Sequence, residues 1–380
     1  MTAPRLLVAS NYEALHVAYA SVCYDFCSVI QKVGGAEIMT PPLRKRSDFK
    51  RVVTAVGSRM RRSLGVNLDP PVTETTCLSR NYDLFFYVCP VLPHLVEVEK
   101  ILGWRKRCRT TAAFILESWS ERLERDKSAL RILDQFDHVF LFNKSSVRNV
   151  QRYTRTPCHF LATGANCLTA APSTNKPQRV IDVYSIGRRS PGLHRQLLEM
   201  AEQQAIFYLY DSLDNANSRV LNWHEHRLLI ANNIMRARYF IVHNHKVDSR
   251  VGEESKAIES AGEQALTHRL FEGIAGGAVI LGSAPDCSEF YEYFDWRDAV
   301  IELPNDSEGV RTVLSELDEQ PDRVANLRRM NVVQSLRRHD WSYRWQTVLQ
   351  TTNIDVPPGL EERQIRLREM ANALEGGELA

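Results

Sequence analysis

Between Glu263 and Asp286 the chain reads EQALTHRLFEGIAGGAVILGSAPD, a helical stretch that ends at a Gly pair and feeds an apolar strand and a Gly-Ser-Ala-Pro loop. Glu272 lies inside it. A carboxylate accepts two hydroxyl hydrogens from a vicinal diol, and the unsatisfied amides of a helix start near Ala265 to Thr267 attract a diphosphate. Gln264 and Arg269 flank that start with an amide and a cation. A second chemistry-bearing run, SIGRRSPGLHRQLL from Ser185 to Leu198, follows another apolar segment. Gly187 lets backbone approach a ligand, and Arg188 and Arg189 offer forked donors suited to phosphate oxygens. Glu117 closes the apolar run TAAFIL, where a carboxylate at a strand end can take a proton from a hydroxyl or stabilise a developing positive charge. His16 is the rival base, and Asn244, just after RYFIV, is a further polar residue that could line a ligand cleft.

The elements that would position these residues follow a regular rhythm. RLLVAS precedes a helical stretch to about Lys32. AEIMT, YDLFFYV, TAAFIL and HVFLF each precede another, and CHFLAT follows. Strand then helix, repeated, is the pattern of a parallel sheet covered on both faces. Two prolines and small polar residues then interrupt the pattern, which restarts with VIDVYSI, AIFYLY, RYFIVH, GAVILG and AVIEL, with helices beginning near Gly192, Glu225, Gln264 and Ser307. The expected organisation is α/β, with two Rossmann-like doubly wound domains facing across a cleft. The N-terminal domain is expected over residues 1–170, a linker over 171–179, the C-terminal domain over 180–350, and a charged tail over 351–380.

The Glu272-Gly-Ile-Ala-Gly-Gly-Ala-Val-Ile run resembles the donor-binding segment of GT-B glycosyltransferases of the group 1 type, including their CgeB-like branch. The resemblance implies that Glu272 holds the ribose hydroxyls of a sugar nucleotide. It also places Gln264 where that family carries an acid eight residues earlier, so an amide would replace a carboxylate at the transferred sugar. The strand, glycine and basic residues at Ser185 to Arg189 are similar to the family's diphosphate site, without its lysine a few residues later. Glu117 stands where related enzymes carry a His or Asp. GANC at Gly164 to Cys167 resembles the turn that precedes the family's linker, and the aromatic run Gln334 to Leu349 matches helices that cross back to brace the N-terminal domain. The implied reaction is metal-independent sugar transfer from a nucleotide donor to an unidentified acceptor. The alternative is a non-catalytic GT-B-like scaffold that binds a glycan or a protein.

Composition narrows the partners. The chain has 380 residues, 44% hydrophobic and 25% charged, ordinary globular usage that excludes disordered and collagenous classes. Its net charge of +2 argues against nucleic acid as the main partner. The basic patch is local: Arg44 to Arg62 sets a cationic face over an apolar stripe. That face is either simply solvated or suited to an anionic membrane surface or anionic acceptor. With no membrane-spanning run and no secretory cleavage pattern, the expected location is cytoplasmic, with membrane association through that patch. No cofactor and no metal are expected. The eight cysteines are scattered singly, and His224-Glu225-His226 lacks the i, i+4 spacing of a zinc helix.

Overall fold

The computed structural model describes residues 4–41, 75–172, 177–187, 189–212, 219–243, 263–304 and 307–376. The basic patch, Arg188 and Asn244 lie outside them.

Six strands form the N-terminal sheet: β1 (Leu6–Ser10), β2 (Ala36–Met39), β4 (Tyr82–Cys89), β6 (Cys108–Ile115), β7 (His138–Leu141) and β8 (Cys158–Phe160). Their order is β2-β1-β4-β6-β7-β8, every neighbouring pair parallel. Two short strands, β3 (Thr76–Cys77) and β5 (Ile101–Leu102), pair separately. The C-terminal sheet holds β9 (Ile181–Ser185), β10 (Tyr208–Tyr210), β11 (Ala237–Val242), β12 (Val279–Gly282) and β13 (Ile301–Glu302) in the order β10-β9-β11-β12-β13, again parallel. Both faces of each sheet are covered, which is why the strands read as unbroken apolar runs. In β4 the residues from Leu84 to Cys89 are all fully buried. Phe86 packs into one core with Phe114 and Phe140, while Phe85 and Tyr87 enter the other with Ile115 and Leu141.

The helices depart from their expected spans where side chains found better partners than a continued helix. The first helical stretch is cut at His16, which takes a left-handed conformation (φ +52°) after the turn Tyr12–Leu15, and the helix proper is Ser21–Lys32. Leu92–Lys100 is a 3-10 helix with a proline in its first turn. The run from Gln334 to Leu349 is interrupted by Asp340, whose carboxylate accepts the Ser342 N–H at 2.9 Å and so caps a new helix, Trp341–Thr351.

That helix and the next, Pro358–Glu375, pack on the N-terminal half of the molecule. The Trp341 ring stacks on Phe26 with centroids 4.5 Å apart, its N–H reaches the Asp25 carboxylate at 2.8 Å, and Trp345 lies 5.4 Å from Phe86. Asp340 also accepts from Cys167 N (3.0 Å) and from Arg363 Nε (2.8 Å). At the turn Gly164 to Cys167 the returning backbone comes so close that a Cβ on Gly164 would stand 2.7 Å from the His339 carbonyl oxygen, which only glycine tolerates. Residues 341–349, expected with the C-terminal domain, are thus built onto the N-terminal half, and the helix of the expected tail packs against Trp341–Thr351 and Pro321–Gln334 and reaches Asn166 through Arg363.

Candidate active site between two sheet edges

The carboxyl ends of the C-terminal strands gather several of the expected residues. Gly187, just past β9, has φ +73°, a conformation that favours glycine, and its N–H donates to both Asp211 oxygens at 3.1 and 3.2 Å. Arg269 reaches the same edge from its helix, donating to the Ile186 carbonyl at 2.7 Å and more weakly to that of His243 at 3.5 Å. It therefore ties β9 to β11 and brings a cation there. Burial, and then the charge of Arg269, push the His243 imidazole down to about 4, so it is neutral near pH 7. The Arg189 guanidinium sits 5.4 Å from the centre of the Tyr210 ring, which His194 meets edge-on at 4.9 Å. Gly187, Arg189 and Arg269 are brought together. Asp211 and Tyr210 were not anticipated, although Tyr210 ends the apolar run AIFYLY and Asp211 follows it directly.

The segment before Arg269 differs from expectation. Its helix is His268–Ala275, four residues later than Gln264, and Glu263 to Thr267 precede it without regular structure. Gln264 accepts the Asp286 N–H at 2.7 Å and braces the loop after β12. Its neighbour Glu263 crosses to the other domain, accepting the Ser120 N–H at 2.9 Å, the Ser120 hydroxyl, and the Asn143 amide at 3.4 Å.

Glu272 lies one turn deeper in that helix, in which Leu270 to Ala275 are all buried. It is 5% exposed, and its carboxylate is paired with Arg227 and lies 3.3 Å from His268 Nε2. Arg227 in turn stands 3.6 Å from Asp25 of the N-terminal half. Burial alone would raise the Glu272 carboxyl, but the charges of Arg227 and His268 outweigh it and hold the group well below the usual carboxylate range. An exposed carboxylate waiting for a ribose is therefore not what the helix presents. A fully packed helix leaves a charged side chain no stable state except a paired one.

Across the cleft, Glu117 stands two residues past β6, half-buried, its carbonyl accepting the Leu92 N–H at 3.0 Å. Burial and the charge of Glu117 both raise the Tyr19 phenol, which places the carboxylate near that ring. His16 follows β1; its Nδ1 is 3.3 Å from the Val220 carbonyl, and its own carbonyl accepts the Val220 N–H at 2.8 Å. One strand, β4, separates β1 from β6, so the two strand ends lie roughly 10 Å apart at ordinary strand spacing. Three contacts show that the carboxyl edges of the two sheets oppose one another: His16 with Val220, Ser120 with Glu263, and Lys144 with Glu292 at 2.5 Å. Among the described residues no group of three or more His, Cys, Asp or Glu converges as a metal site, and no helix is long and apolar enough to cross a membrane.

Residues 253–350 match the family described as glycosyl transferase-like. No curated protein matches the chain. Among solved structures it is similar to an alpha-glucosyltransferase in complex with UDP-glucose and DNA containing an abasic site, at TM-score 0.54 and 10% identity over 93% of this chain and 100% of that one. HepE of Anabaena in complex with UDP-glucose gives 0.52 and 11%, covering 91% and 99%. The α,α-trehalose 6-phosphate synthase of Burkholderia multivorans gives 0.50 and 12%, covering 92% and 98%. With two opposed parallel-sheet domains over nearly its whole length, the chain has the GT-B fold of these structures, and its segment 253–350, which includes the helix His268–Ala275, matches the glycosyl transferase-like family.

Proposed function

We propose that the chain moves a sugar from a nucleotide-sugar donor to an acceptor nucleophile without a metal. The donor diphosphate meets the Gly187 backbone, Arg188 and Arg189, with Arg269 supplying positive charge beside Gly187. Arginines neutralise the departing nucleoside diphosphate in place of a cation. Glu117 takes the acceptor proton or stabilises the developing sugar cation, and His16 is the alternative base. Gln264 serves the donor side by shaping the loop after β12, and Asn244, outside the described residues, is a further candidate donor contact. Glu272 reaches a ribose diol only by exchanging Arg227 or His268 for it, and its first task is to fix the helix that carries Arg269. The acceptor is a glycan, lipid, protein or small molecule, and an anionic one would suit the basic segment 44–62.

The single observation that carries this reading is the meeting of Gly187, Arg189 and Arg269 at one sheet edge, opposed by the edge that bears Glu117 and His16. Closing such a cleft excludes the water that would hydrolyse the donor. A second reading, a binding scaffold without turnover, is favoured by the engagement of both Gln264 and Glu272 with protein partners. One experiment separates the two. Common nucleotide sugars are screened by thermal shift, UDP-glucose first, and any hit is assayed for hydrolysis with and without EDTA. The enzyme reading expects turnover that survives EDTA and falls about 100-fold in Glu117→Gln at nearly unchanged donor affinity. Binding without turnover establishes the scaffold.

A further inference from the structure

Asn11 follows the last residue of β1 and is 1% exposed, and neither its side-chain oxygen nor its side-chain nitrogen has a hydrogen-bond partner among the described residues. Leaving one buried polar atom unpaired costs about 1–3 kcal/mol, and here a whole amide is unpaired. Its position offers an obvious local use, which it does not take. Asn11 precedes the helical turn Tyr12–Leu15, where asparagine is a favoured cap, yet its side chain makes no capping bond. Its neighbours are anchored: Ser10 donates to the Val88 carbonyl at 2.7 Å, and the Tyr12 ring packs edge-on against Trp223 of the C-terminal half, 5.7 Å between centroids. The amide is therefore held between a fixed strand end and the interdomain seam. It stands at the same carboxyl edge as Glu117, on the same strand end as His16.

We infer that Asn11 binds the transferred sugar of the donor, its amide oxygen and nitrogen pairing with two hydroxyls of that sugar. An amide supplies one acceptor and two donors in a plane, which complements a vicinal hydroxyl pair, and burial makes each such bond selective, because an analogue lacking a hydroxyl leaves the amide unpaired again. Neither a cap nor a sheet bond competes for it. The inference rests on the donor reading above and extends it from the nucleotide to the sugar.

The test uses the full chain and two variants, Asn11→Ala and the near-isosteric Asn11→Leu, with UDP, UDP-glucose and the other common nucleotide sugars as probes in calorimetry. The expected result is that both variants bind the free nucleoside diphosphate as wild type does, bind the matching nucleotide sugar at least about tenfold more weakly, and melt without ligand no lower than wild type, since the change removes unpaired polar atoms rather than bonds. Undiminished nucleotide-sugar affinity in both variants overturns the inference while leaving the donor site intact. A drop of several degrees in the melting temperature of Asn11→Leu, with affinity per folded molecule retained, makes Asn11 structural and overturns it too. A wild-type chain that binds no nucleotide sugar overturns this inference and the donor reading together.

Discussion

Two seams join the halves of this molecule, and they are built from different physics. Along the crossover seam Trp341 and Trp345 are fully buried against Phe26 and Phe86, and the charged groups, Asp340 with Arg363 and Asp25 with Arg227 and Glu272, are withdrawn from water and paired. Along the cleft seam polar links predominate beside one buried ring contact, Tyr12 with Trp223: Glu263 accepts from Ser120 and Asn143, and Lys144 pairs with Glu292 at 35% and 53% side-chain exposure. Apolar burial and buried ion pairs are costly to undo; exposed pairs are not. The comparison separates a buried, tightly packed seam from a contact surface that is easier to part, although both unite the same two domains.

Trp341→Ala is expected to have the largest effect. It removes the stack on Phe26 and the bond to Asp25, and should cost about 4–5 kcal/mol, toward the upper end for a buried tryptophan. Chemical denaturation checks the loss; a cost under about 1 kcal/mol would mean that the crossover is not the tightly packed seam.

Glu272→Ala should come next, at about 3 kcal/mol, the lower end for breaking a buried pair, because Arg227 keeps Asp25 beside it. The same denaturation measurement sharpens the comparison, since a carboxylate serving only a ribose would leave stability untouched and lower donor affinity alone.

The smallest expected effect belongs to the cleft. Lys144→Ala breaks the Glu292 link and should change stability by less than about 1 kcal/mol, as exposed pairs do. If instead it lowers the melting temperature as far as Glu272→Ala, the cleft seam is as fixed as the crossover and the contrast fails.

The strands were the most legible part of the chain. All eleven apolar runs in the two expected sheets became strands, because strands buried on both faces of a parallel sheet are nearly continuously apolar, and the edge strands β2 and β13 kept enough apolar residues to pair despite an exposed Glu in each. The glycine turn expected at Gly187 is present, since a positive φ is a property of a single residue, and Arg189 beside it lies over the Tyr210 ring. Helix limits were less legible. His16, Leu92 and Asp340 each sit where local pattern favours a continued helix, yet a left-handed turn, a 3-10 run and a capping carboxylate prevailed through tertiary contacts. At the donor segment the sequence drew attention to Gln264 by its spacing from Glu272. It is Glu263 that reaches across the cleft, and spacing within one helix carries no information about Ser120, 143 residues away.

What the sequence by itself determined is the class of element and its order: parallel strands alternating with helices, twice over, with cations and carboxylates at strand ends. Those follow from hydrophobic periodicity and from the needs of parallel connection, both local along the chain. Only the tertiary structure decided which of the charged residues face a ligand and which face one another. Arg269 and Glu272 lie three positions apart on one helix, yet one reaches the strand ends while the other is paired with Arg227 and His268 in the interior. That division depends on desolvation and on partners brought from other elements, quantities that exist only once the chain has packed.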